Sequence, residues 1–189
     1  MPTLQTIVAS TRQGRQGHKV ASWFVEIAKA HGKFDVETVD LADVNLPMFD
    51  EPKHPRLREY QHDHTKQWSA LIERADAYVV VTPEYDHSPP ASLLNAFQHL
   101  VQEWAYKPIG FVSYGGVSAG TRSMQASKLT AVALKMMPML ESVSIPFFNQ
   151  LIDKESGEFK PGKVQDDAAV VMLNEMLRWS AALETLRTK

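Results

Sequence analysis

Short apolar runs alternate with longer amphipathic stretches along this chain. That alternation predicts a repeating strand–helix fold. Residues 4–9 form a first apolar strand. Residues 18–31 place Val20, Trp23, Phe24, Ile27 and Ala28 on one helical face, and Gly32 sits at the C-cap. Residues 34–40 form a more polar second strand, suited to an edge. A loop with Pro47, Pro52 and Pro55 leads to a helix over 56–75, with Trp68, Leu71 and Ile72 inward. Residues 77–82 are continuously apolar, as expected for a strand covered on both faces.

The second half repeats the pattern. A Pro-rich loop over 83–90 precedes a helix over 91–103, and residues 108–113 form a fourth strand. A Gly-rich loop over 114–120 opens a helix over 121–136, which Pro138 stops. A fifth strand covers 142–145, residues 146–165 are irregular, and a long helix covers 166–186. Asp166 and Asp167 complement the positive end of that helix. These units predict one three-layer α/β sandwich around a five-stranded parallel sheet.

Composition narrows the class. The 189 residues suit one ordinary domain spanning 1–189. A net charge of -2 without basic tracts gives no footprint for nucleic acid. Without cysteine there are no disulfides, thiolate metal sites or thiol nucleophiles. No apolar run nears the ~20 residues of a membrane span, and the first residues carry no signal-peptide pattern. The expected location is cytoplasmic.

Candidate chemistry gathers in three loops. Residues 10–17, Ser-Thr-Arg-Gln-Gly-Arg-Gln-Gly, join the first strand to the first helix. A helix N-terminus offers free N–H groups and the positive end of its dipole. Ser10 and Thr11 add hydroxyls, and Arg12 and Arg15 add forked positive charge. The string is neither a Walker A loop nor a Gly-x-Gly-x-x-Gly fingerprint. A terminal phosphate monoester fits it, and so does a solvated turn with incidental arginines. Pro83-Glu84-Tyr85-Asp86-His87-Ser88 follows the third strand, with a fixed backbone and an aromatic face. Ser113-Tyr114-Gly115-Gly116 follows the fourth, where glycine permits close approach. In a parallel sheet all three loops leave at the carboxyl edge, where such folds bind ligands. Together they suit a mononucleotide, and flavin mononucleotide (FMN) in particular.

On these strings, with Leu94-Asn95-Ala96, Lys107–Gly116 and Ser144-Ile145-Pro146-Phe147, the chain resembles the NADPH-dependent FMN reductase family. The resemblance implies a flavodoxin-like fold with strand order 2-1-3-4-5. It places Ser10, Thr11, Arg12, Arg15, Gln16 and Gly17 around the FMN phosphate. It places Pro83, Glu84, Tyr85, Asp86 and Ser88 beside the ring and ribityl chain, and Ser113, Tyr114, Gly115 and Gly116 on the other side. It implies NADPH or NADH as donor and a quinone, flavin, azo compound or similar small acceptor. No side chain is expected as an essential acid or base, since the flavin carries the chemistry. The family forms homodimers, commonly paired into tetramers. Large apolar residues at 104, 106, 136, 137, 147 and 148 agree with that. A flavodoxin-type carrier and a non-catalytic FMN-binding protein are the alternatives.

The chain departs from the family pattern at three positions. Asp86 replaces the usual Asn, and an ionised carboxylate there would lower the flavin potential. Leu94 and Gln98 replace a Lys and an Asp, which removes a charge pair. His62-Asp63-His64 is a weak metal candidate, because alternate helical residues do not share a face. No metal is expected. Arg122 reads as a surface residue at a helix start, with a nicotinamide-dinucleotide contact as the alternative.

Overall fold

The computed structural model describes residues 1–187. Its central sheet is parallel throughout. It comprises β1 (Thr3–Val8), β2 (Asp35–Asp40), β3 (Ala77–Pro83), β4 (Pro108–Tyr114), β5 (Met137–Pro138) and β6 (Val143–Ile145). The order is β2-β1-β3-β4-β5, and β6 pairs with β4 further along. The expected order 2-1-3-4-5 is therefore present, but the fifth position is shared by two short strands. Pro138, read as a helix stop, belongs to the first of them.

Among the described residues, six α-helices flank the sheet: α1 (Gly17–His31), α2 (Leu41–Val44), α3 (Asp63–Glu73), α4 (Ala91–Gln98), α5 (Thr121–Ala133) and α6 (Lys163–Arg187). Side chains alternate across β3. Ala77, Val79 and Val81 pack with Phe24 of α1 and Met172 and Met176 of α6. Tyr78 and Val80 pack with Trp68 of α3, Phe97 of α4 and Ala131 of α5. This period of two explains why all seven residues of β3 are buried. Polar β2 pairs only with β1, as expected of an edge.

Three expected helices are shorter, among them the one expected over 121–136, which ends at Ala133. The span 56–75 begins as a 3-10 turn, Pro55–Leu57, and Arg58 turns left-handed, so α3 starts only at Asp63. Helix α4 ends at Gln98, after which residues 101–106 form turns. The four-residue helix α2 went unrecognised; the Asp40 side chain caps it by accepting from Ala42 N at 3.0 Å. Among the described residues, no helix is long and apolar enough to cross a membrane.

Candidate functional site

The strand order reverses between β1 and β3, so the loops after β1, β3 and β4 meet at one crevice. A cleft there is lined by Arg12, Arg15 and Gln16 from the first loop and Pro83, Glu84 and Tyr85 from the second. Tyr114, Gly115 and Gly116 come from the third. Phe148 and Asn149 also line it, and the sequence reading missed both. They follow β6 directly. Phe147 N and Phe148 N donate to Gly116 O and Gly115 O, which fastens this segment to the third loop. The Phe148 ring packs edge-on against Tyr114 at 4.8 Å.

The first loop is built to present donors. Gln16 N-caps α1 without a side-chain bond, and no acidic residue occupies the first turn. The 15-residue helix therefore directs unneutralised N–H groups at the loop. Gly17 is required by close approach. A Cβ there would lie 2.5 Å from Tyr114 Oη and 2.7 Å from Ser10 Oγ. Tyr114 Oη also donates to Ser10 Oγ at 3.3 Å. Burial pushes the Tyr114 phenol up to about 12, against a smaller pull downward from the Ser10 bond, so it stays protonated. Ser10 and Gly17 thus form the floor of the loop rather than its open wall.

Arg15 pairs through Nη2 with Asp40 Oδ2 at 2.8 Å, while its Nη1 is buried with no hydrogen-bond partner. A buried, unpaired guanidinium nitrogen on a residue that lines a cleft calls for an anion. Free helix N–H groups point the same way. The residues present therefore fit a phosphate-bearing group. Thr11 instead faces a neighbouring cleft with Leu41, Ala42, Asn45 and Ser92.

The second loop closes as a two-residue hairpin. Tyr85 and Ser88 exchange backbone bonds of 3.0 and 2.9 Å, with Asp86 and His87 both at positive φ. Aspartate, like asparagine, tolerates that conformation better than most residues, so the hairpin accepts Asp86. Asp86 and Ser88 are exposed at the tip. Ser113 is buried inside β4 and reaches Ser144 Oγ at 3.5 Å.

Glu84 ties the second and third loops together. It accepts from Arg122 Nη1 at 2.7 Å and from Arg122 N, in the first turn of α5, at 3.1 Å. Burial works to raise its carboxyl, but the Arg122 bonds outweigh that and hold it below the usual range. Arg122 is an exposed residue at the start of α5, as expected, and there it partners Glu84.

The remaining candidates lie elsewhere. His62 precedes α3 in extended conformation, so its ring stacks on His64 at 5.2 Å. The expectation that these rings diverge was wrong, because helical geometry does not begin until Asp63. Among the described residues, no group of three His, Asp or Glu is placed to hold a metal. Trp104 and Met136, counted as surplus apolar surface, are buried. Trp104 packs against Trp68, Tyr78 and Phe97.

A flavodoxin-like sheet with an anion-directed loop and a ring-lined cleft at its switch point defines a mononucleotide-binding α/β protein. Comparison with known proteins makes the class specific. Residues 2–150 match the NADPH-dependent FMN reductase family, and the chain belongs to that family. It is an oxidoreductase that works with FMN and NAD(P)H. An NAD(P)H-dependent FMN reductase of Schizosaccharomyces pombe is 37% identical over 148 residues, 77% of this chain and 74% of the relative. Another from Nectria sp. is 31% identical, over 78% and 76% of the two chains. The solved structure of FerB, a flavoenzyme NAD(P)H:(acceptor) oxidoreductase from Paracoccus denitrificans, shares the fold. Its TM-score is 0.76 at 18% identity, covering 96% and 98% of the two chains.

Proposed function

We propose that this protein holds FMN in the switch-point cleft. Residues 10–17 take the phosphate, and the loops at 83–88 and 113–116 take the ring system and its ribityl chain. The observation that carries this reading is Arg15 Nη1, buried and unpaired beside an uncapped helix N-terminus, in the same cleft as Tyr85 and Phe148. Bound FMN supplies the acceptance of a hydride from NAD(P)H and the later donation of electrons. The chain's own residues bind and orient. Arg15 and the α1 N–H groups neutralise phosphate charge, and the Glu84–Arg122 pair holds two loops in register. The protonated Tyr114 phenol donates within the floor. No side chain is assigned as an essential acid or base.

The acceptor is a small molecule. Relatives named quinone reductase and NADPH azoreductase support a quinone or an azo compound. Both substrates are proposed to use one cleft in turn, which gives ping-pong kinetics. Homodimers or tetramers are proposed as well. The exposed apolar residues Val117, Leu129, Val132, Leu140 and Phe147 support this. Cytoplasmic residence fits the use of reduced nicotinamide.

The test is anaerobic mixing of the FMN-loaded protein with NADPH or NADH. The flavin absorbance is expected to bleach, and an added quinone to restore it. Flavin that stays oxidised with both donors would replace the enzyme reading with a carrier or a binding protein.

A further inference from the structure

The register of the sheet puts Asp40 opposite Val8, two residues before Ser10, so a carboxylate stands at the same edge as the phosphate loop. Its two oxygens have separate tasks. Oδ1 caps α2 through Ala42 N at 3.0 Å, and Oδ2 accepts from Arg15 Nη2 at 2.8 Å. Asp40 is thus anchored twice, by the β2 backbone and by the cap. Arg15 is otherwise a long side chain on a loop whose residues 11–14 are exposed. Both partners are mostly buried, with 19% and 14% of their side chains accessible. Holding Nη2 leaves the other arm of the fork, Nη1, buried and without a partner, on a side chain that lines the cleft.

We infer that Asp40 is a positioning residue: it locks the Arg15 guanidinium so that Nη1 faces a ligand phosphate, and it thereby sets the preference for a phosphorylated over an unphosphorylated flavin. The inference rests on the phosphate reading of residues 10–17. An electrostatic and an entropic effect oppose each other. A carboxylate near a phosphate repels it, which favours removing Asp40. An arginine that must find its rotamer on binding loses side-chain entropy, which favours keeping it. A fork held at one arm donates through the other without that loss, and the salt-bridged carboxylate has its charge largely neutralised.

The test measures equilibrium binding of FMN and of riboflavin, which lacks the phosphate, to apoprotein by calorimetry. Asp40→Asn is the informative variant, because its side-chain oxygen still caps α2 while the charged pair to Arg15 is lost. Arg15→Ala is expected to weaken FMN about tenfold to a hundredfold. Asp40→Asn is expected to weaken FMN roughly threefold to thirtyfold. Riboflavin binding should hold within about twofold in both, which also shows the variants are folded. In the Arg15→Ala background, Asp40→Asn should cost nothing further. Arg15→Lys, with one nitrogen instead of a fork, should lose FMN affinity nearly as Arg15→Ala does. If Arg15→Ala weakens FMN but Asp40→Asn leaves it unchanged or tighter, Asp40 competes with the phosphate and the inference fails alone. Equal losses for riboflavin and FMN would make Asp40 a merely structural residue. An unchanged FMN affinity in Arg15→Ala would remove the phosphate reading together with the inference.

Discussion

Both edges of this sheet carry a charged cleft, and they differ in what their charges do. At the amino edge, Glu103 is buried and its Oε1 accepts from Tyr60 Oη at 2.8 Å and Ser69 Oγ at 2.6 Å. Lys107 gives its ammonium to Ile72 O, Glu73 O and Tyr78 Oη at 3.0–3.2 Å. Arg187 is engaged with Asp76 and the Tyr106 carbonyl. Those cations are spent on the fold. At the carboxyl edge, Arg15 has a buried nitrogen to spare and α1 is uncapped. Charge density therefore does not mark the site. An unpaired guanidinium nitrogen beside an uncapped helix N-terminus does.

The largest effect expected from this contrast belongs to the amino edge. Glu103→Ala leaves Tyr60 and Ser69 without their acceptor and should cost about 2–4 kcal/mol of stability. A melting curve should show Tm lower by roughly 5–15 °C. FMN affinity of the folded fraction should be unchanged. A loss of affinity with no loss of stability would break the contrast.

Lys107 gives the next largest effect, seen through pH. Burial, helped by the nearby Arg187 charge, lowers its ammonium to about 8 from an ordinary 10.5. Between those values the unfolded chain binds more protons than the fold, so stability rises as pH climbs from about 8 toward 10. The expected gain is about 1–3 kcal/mol. Above 10 the slope reverses, because burial holds the Tyr78 phenol well above its usual range while the unfolded phenol ionises. Urea midpoints at successive pH values check this, and Lys107→Met should abolish the rise.

Most of the fold was legible because its signals are local. The buried run 77–83, the cap at Gly32 and the loop strings each lie within a few residues. What escaped depends on contacts between distant segments. Asp40 meets Arg15 across two strands, and Phe148 reaches the cleft from beyond β6. The helix drawn over 56–75 overran because the apolar pattern of α3 was extended back through Pro55 and a left-handed Arg58. Lys107 sat within a family string, yet its partners lie in α3 and β3. Asp86 was flagged for its charge, but the hairpin geometry that selects it needs the Tyr85–Ser88 pairing to be seen.

Two smaller effects sharpen the carboxyl edge. Gly17→Ala would press a methyl group on Tyr114 Oη and Ser10 Oγ. FMN affinity should fall about tenfold, with about 1–3 kcal/mol lost from the apoprotein. Asp86→Asn should raise the flavin potential by less than about 20 mV, because the residue is exposed and its charge is screened. Potentiometry on the loaded protein measures it.

Hydrogen–deuterium exchange with and without FMN tests the central claim most directly, because it reads both edges in one experiment. FMN should slow exchange in residues 10–18, 83–88, 113–122 and 146–149, and leave residues 57–60, 73–76 and 102–107 unchanged. Protection at the amino edge, or none at residues 10–18, would contradict the account.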